Sequence, residues 1–145
     1  MNNGNGFTFG NLHDWRTDPD KCAQGVPFDL GQGRALIVRR ANINDREIQA
    51  QFANVERDDE KATQGVFARV LVVDWRGFVD GNGEPIPYSP EACVAMLEYA
   101  NEVWEPLQRF ALNRANYAYT QSQEEIAGLK ASRDGAQVQA PTANN

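Results

Sequence analysis

The sequence predicts a mainly helical α+β domain with a small N-terminal β-hairpin, about four helices and disordered termini. Three observations carry that prediction. Two short runs of β-type residues flank the turn Gly31-Gln32-Gly33. Ser89-Pro90-Glu91 combines a capping hydroxyl, a first-turn proline and an acidic residue, which together mark a helix start. Leu107, Phe110, Ala111, Tyr117 and Ala118 recur at helical spacing. The 145 residues, 41% of them hydrophobic, suffice for one modest core.

Taken in order, residues 1–17 are rich in Asn and Gly and read as a flexible arm. Residues 18–130 form a single helical domain that opens on the hairpin. Its first strand is Gly25-Val26-Pro27-Phe28-Asp29-Leu30 and its second Arg34-Ala35-Leu36-Ile37-Val38-Arg39-Arg40. Pro27 cannot donate to a ladder, so the first strand is expected at the sheet edge. Beyond Asn42 the apolar period lengthens through Ile43, Ile48, Phe52 and Val55, with Asn44 or Asp45 as cap, and predicts a helix over 45–57. Val66, Phe67, Val70, Leu71 and Trp75 extend a second helix over 61–76, although the run Val70 to Val73 also suits a strand. A Gly- and Pro-rich loop reaches Tyr88. The third helix spans 90–104. Pro106 then interrupts or kinks the chain, because it lacks an amide hydrogen, and a fourth helix spans 106–128. Residues 131–145 hold one large aliphatic side chain, Val138, too little to offset ordering entropy, and read as a disordered tail.

Composition excludes several function classes. Twenty acidic residues against fourteen basic ones give a net charge of −6, which repels phosphate backbones. Arg39-Arg40 is the only adjacent basic pair, so no nucleic-acid partner is expected. The longest aliphatic run, Val70 to Val73, is far too short to span a bilayer, and no membrane partner is expected either. Met1 to Gly6 shows neither a basic start nor an apolar segment, so no secretory signal is expected. Cys22 and Cys93 read as reduced structural thiols of a cytoplasmic protein.

Catalytic chemistry finds little support. His13 is the single histidine and lies in a polar stretch, so a nucleophile–base pair built on it is not expected. Two distant cysteines and one histidine are too few for a Cys/His metal site. Asp80, Asn82, Glu84 and Glu91 imitate part of a calcium loop, but Pro85 stands where that loop requires glycine, and Ser89-Pro90 starts a helix inside it. A turn leading into a helix is the better reading. The glycine pairs around Gln32 and Asn82 lack the lysine of a phosphate loop. The prediction is therefore no enzyme, no cofactor and no metal.

Apolar surface remains. Residues 92–97 are apolar around the whole helix, which requires burial on both sides or completion by another chain. Met96, Tyr99 and Trp104 belong to residue types enriched at interfaces. They serve either the domain's own core or a partner.

Three segments together resemble the tail assembly chaperones of long-tailed, siphovirus-like bacteriophages. The first, residues 18–57, holds Asp20 and Gly25 before the hairpin, then Ile37-Val38-Arg39-Arg40-Ala41-Asn42 and a helix. The second, residues 74–91, is similar to that family's tryptophan–glycine loop and helix start, with Trp75, Gly77, Asp80, Gly83, Pro87 and Ser89 as its motif residues. The third is the closing helix near Phe110 to Tyr117. The resemblance spans residues 18–118.

The resemblance implies a protein that binds the tape-measure protein, keeps it soluble and helps recruit tail-tube protein around it. It also implies residence in the host cell cytoplasm and absence from the finished particle, and it leaves room for a homo-oligomer. Met96, Tyr99, Trp104 and Phe110 would cover a client helix, while Trp75 would be structural. The rival reading is a minor virion structural protein of the tail or head–tail connector, using the same apolar faces for permanent contacts.

Overall fold

A short helix precedes the hairpin. Asp18 accepts a hydrogen bond from the Asp20 amide (3.0 Å), and Pro19 occupies the first turn, so α1 forms over Pro19–Gln24. The structure, a computed structural model, describes residues 16–119. The predicted arm, up to residue 15, and the predicted tail over 131–145 lie outside those residues. The chain divides into two units, and Thr17–Tyr117 contains every helix and strand described. Of the unit formed by the two chain ends, Arg16, Ala118 and Tyr119 are described, and the Arg16 guanidinium lies 5.5 Å from the Tyr119 ring centroid.

Strand β1 (Val26–Gly31) turns back at Gln32 into β2 (Arg34–Val38), as the glycine-flanked turn predicts. A third strand, β3 (Val72–Arg76), pairs antiparallel with β2, so the sheet order is β1-β2-β3 and the Pro27 strand lies at an edge. On one face Leu36 sits opposite Trp75 and Val38 opposite Val72, all four buried. Such cross-strand pairs hold register, because a slip of one residue would turn each toward solvent.

The strand at 72–76 corrects the helix predicted over 61–76. Helix α3 (Glu60–Val70) stops when the Leu71 amide closes on the Phe67 carbonyl (2.8 Å). The β-branched residues that follow gain a ladder with β2, a tertiary contribution that outweighs continued helical periodicity. The other helices are shorter than predicted. Helix α2 (Arg46–Phe52) is capped by Asp45, whose carboxylate accepts from the Glu47 and Ile48 amides, and it ends well before 57. Helix α4 (Pro90–Tyr99) is capped by Ser89, whose Oγ accepts from the Ala92 amide (3.0 Å). The break comes at Ala100 (φ −124°, ψ 65°), not at Pro106. A 3-10 turn over Asn101–Val103 leads into α5 (Trp104–Leu112). Pro106 therefore lies in the first turn of α5, where the missing amide hydrogen has no helical acceptor to lose. The helix predicted over 106–128 ends at Leu112, followed by a 3-10 turn at Arg114–Tyr117; its last part, 120–128, lies outside the described residues.

The core lies between the sheet and α3, α4 and α5. Leu36, Val38, Phe67, Leu71, Leu97, Leu107 and Ala111 are all buried there. Tyr117 closes one side: its hydroxyl donates to the Val38 carbonyl (3.0 Å), and its carbonyl accepts from the Asp18 amide (2.7 Å). Among the described residues no helix is long and apolar enough to cross a membrane.

Candidate partner-binding surface

The tryptophan–glycine loop is built as a scaffold. After β3 the chain forms a miniature hairpin: the Ile86 amide donates to the Phe78 carbonyl (2.8 Å), and Val79 bridges Pro85. Its tip is organised by Asp80, whose Oδ1 accepts from the Asn82 amide (2.8 Å) and the Glu84 amide (3.0 Å). That carboxylate is engaged in shaping the turn, as expected of an aspartate that initiates one. Gly83 has a positive φ of 79°, so it supplies the left-handed residue the tip requires.

Trp75 fastens this loop to the domain. Its ring stacks on Phe78 at 4.2 Å and meets Tyr88 edge-on at 5.4 Å, and its Nε1–H donates to the Ile86 carbonyl (2.7 Å). Tyr88 in turn donates from its hydroxyl to the Ala68 carbonyl of α3. Burial pushes the Tyr88 phenol well above the usual range for tyrosine, with the neighbouring Cys93 adding to the effect. Burial likewise raises the Cys93 thiol to about 11, and the adjacent Tyr88 hydroxyl pulls it down only in part. Gly77, between strand and loop, passes very close to the β1–β2 turn. A Cβ there would lie 2.2 Å from the Gly33 carbonyl oxygen. Pro87 is exposed in the segment leading to the Ser89 cap. Trp75, Gly77, Asp80, Gly83 and Ser89 thus each hold the loop or the start of α4.

The four residues expected to face a partner do not share a surface. Trp104 is 7% exposed and meets Phe67 edge-on at 5.3 Å, so it belongs to the core. That corrects its assignment to a binding face: the break at Ala100 makes Trp104 the first residue of α5, so it does not continue the helix that carries Met96 and Tyr99. Phe110 is partly buried against Phe28 (4.9 Å) and Tyr117 (6.1 Å). Met96 packs at the core margin, whereas Tyr99 is 94% exposed. Only Cys93 and Leu97 of α4 are buried outright; its remaining apolar residues are partly covered or exposed.

An open apolar groove lies elsewhere, among α2, α3 and α5, with a volume of about 320 Å³. Phe67 and Leu71 form its floor, Ile48 and Phe52 line it from α2, and Leu112 lines it from α5. Ile43 stands at its rim. The exposed fractions, 68% for Ile43 and 53% for Leu112, leave two large aliphatic side chains facing water beside a concave apolar surface. No charged side chain lines the groove; its polar side chains are Asn42, Gln49, Thr63 and Gln108. The rim is braced, because the Gln49 side-chain amide donates to the Ile43 carbonyl and the Asp45 amide to the Asn42 carbonyl (3.0 Å). The Ala41 amide also donates to the Ala111 carbonyl (2.9 Å), which ties the exit of β2 to the end of α5.

Sequence reasoning missed this groove, though two signals were present. Leu112 lies off the buried stripe Trp104–Leu107–Ala111, directly beside it. Ile43 continues the apolar period of α2 but precedes the Asp45 cap, so it stands outside the helix. On the other side of α2 a second cleft is polar, lined by Arg39, Glu47, Gln51 and Arg69 among others.

The family described as YdaY prophage protein matches residues 29–128, well over half of the chain. No curated protein and no solved structure matches it.

Proposed function

The chain belongs to the YdaY prophage protein family, and we propose that it is a non-enzymatic tail assembly chaperone working in the host cytoplasm. In this reading it binds the tape-measure protein, keeps it soluble and helps recruit tail-tube subunits. One observation carries the reading: the groove bounded by Ile43, Phe52 and Leu112 is apolar, open and free of charged lining groups. A long helical client exposes apolar stripes before assembly, and a groove of this kind covers one turn or two of such a stripe in the helix-in-groove manner. The contact is small, which suits a client that must later be handed to the tube. The net charge of −6 keeps such a complex dispersed.

The test is co-expression with the tape-measure protein of the same genome, scored by soluble co-purification. The expected result is a soluble complex that is lost when Ile43 and Leu112 are both changed to Ser, with the domain still folded. A client that stays insoluble while this chain elutes alone would refute the reading. Mass spectrometry of purified particles adds a second decision. A chaperone is depleted there, whereas a stoichiometric component would be a minor virion structural protein.

A further inference from the structure

We infer that the groove takes a basic amphipathic helix, one whose apolar stripe is flanked by lysine or arginine at the end nearest the α2–α3 turn. The inference rests on the chaperone reading and deepens it by naming the chemistry of the bound segment. The turn, 53–59, joins the last residue of α2, Phe52, to the first turn of α3, and both Phe52 and Thr63 line the groove. It therefore borders one end of the apolar surface. Residues 56–60 carry four carboxylates and one guanidinium, and all five residues are exposed.

These carboxylates are not all used by the fold. Asp59 caps α3 through the Ala62 amide (3.1 Å), and Glu60 accepts from the Gln64 side chain (3.4 Å). Glu56 and Asp58 have no ion-pair partner among the described residues. They lie outside the first turn of α3, where the helix dipole would offset them only weakly. An apolar surface thus ends at a surplus of negative charge, which a cation on the bound helix would complement.

The same feature argues against a second copy of this chain as occupant. A symmetric groove-to-groove contact would bring two acidic turns into one interface, between molecules that each carry −6. Neither groove offers a basic side chain to meet the partner's acidic turn, so the pair gains no compensating attraction.

The experiment uses the full chain and two side-chain-stapled helical peptides, so that ordering cost does not mask the contact. Both peptides carry leucine at i, i+3, i+4 and i+7. One is flanked by lysine, the other by glutamate. Fluorescence anisotropy at low salt should show the lysine peptide binding about tenfold more tightly. The Glu56→Gln, Asp58→Asn double variant, which touches no helix cap, should cut that preference to about threefold or less. Raising the salt should act the same way by screening. Leu112→Ser should weaken both peptides, and methyl resonances of Ile43 and Leu112 should shift on binding. Equal affinity for the two peptides, indifference to Leu112→Ser, or self-association through the groove would each overturn the inference. If the tape-measure protein co-purifies but the peptides show no charge preference, this inference fails and the chaperone reading stands. If the lysine peptide binds and the tape-measure protein stays insoluble, the chaperone reading fails and the groove keeps its basic helix.

Discussion

Replacing Gly77 by alanine tests how the loop is joined to the sheet, and Gly83→Ala is its internal control. Both glycines have positive φ, 84° and 79°. Holding alanine in that region costs about 1–2 kcal/mol, partly offset by about 0.4–1 kcal/mol from a stiffer unfolded chain. Gly83→Ala should therefore cost about 1 kcal/mol, because its new methyl meets nothing within 4 Å. At Gly77 the methyl would lie 2.2 Å from the Gly33 carbonyl oxygen and 2.8 Å from the Arg34 Cα. Those are backbone atoms and cannot swing aside. The turn must move by roughly 1 Å to reach ordinary contact distance, which disturbs the adjacent Ala35–Arg76 pairing. Losing one or two ladder hydrogen bonds adds about 1–3 kcal/mol, so Gly77→Ala should cost about 2–4 kcal/mol in all. Urea unfolding followed by tryptophan fluorescence reads both variants. If Gly77→Ala destabilises no more than Gly83→Ala, the close approach is not real and the reasoning fails.

Three further outcomes are expected. Trp75→Phe keeps a ring beside Phe78 but leaves the Ile86 carbonyl without its 2.7 Å donor, and should cost about 1–2 kcal/mol by the same urea assay. Trp104→Ala should cost about 3–5 kcal/mol, whereas Tyr99→Ala on the exposed end of α4 should stay within about 0.5 kcal/mol. Alkali should destabilise the fold. The Cys93 thiol rises from 9.0 to about 11 on folding, so its contribution is fully present below about pH 9 and is lost as pH climbs through about 11. The loss amounts to about 2–3 kcal/mol, and the half-buried Tyr88 and buried Tyr117 phenols push the same way from about pH 10 upward. In the native protein at pH 8 a thiol reagent should modify Cys22 far faster than Cys93, and urea midpoints measured from pH 7 to 11 should fall above pH 9.

Features encoded locally were legible in the sequence. The hairpin turn, the edge position of the Pro27 strand and the Ser89 cap each depend on a few adjacent residues, and each stands where those residues put it. Asp18-Pro19-Asp20 carries the same cap-and-proline signal as Ser89-Pro90-Glu91, yet no apolar period follows it, so the sequence does not announce α1. The segment 72–76 was not decidable locally. Phe67, Leu71 and Trp75 are all buried, which satisfies a helical period, and only the ladder to β2 selects the strand. Helix ends were misjudged for a related reason. Pro106 looks like a break from its own chemistry, but the chain breaks six residues earlier, at Ala100, which places that proline where it does no harm.

The groove follows from that same reversal at Leu71. A helix continuing to 76 would have carried Trp75 along the α3 axis and left β2 without its second neighbour. Because the chain instead turns into β3, Phe67 and Leu71 end as the last buried turn of α3, with α2 on one side and the end of α5 on the other. Phe67 then serves two surfaces at once: it lines the groove, and it meets Trp104 edge-on in the core. That double role separates two kinds of variant. Trp104→Ala acts on the groove only by loosening the core beneath it, so any loss of client binding should be matched by lost stability. Ile43→Ser and Leu112→Ser act from the exposed rim, so binding should fall while the urea midpoint holds. If the two rim variants lowered stability as much as Trp104→Ala, Ile43 and Leu112 would be core residues, and the groove would have no claim to a partner.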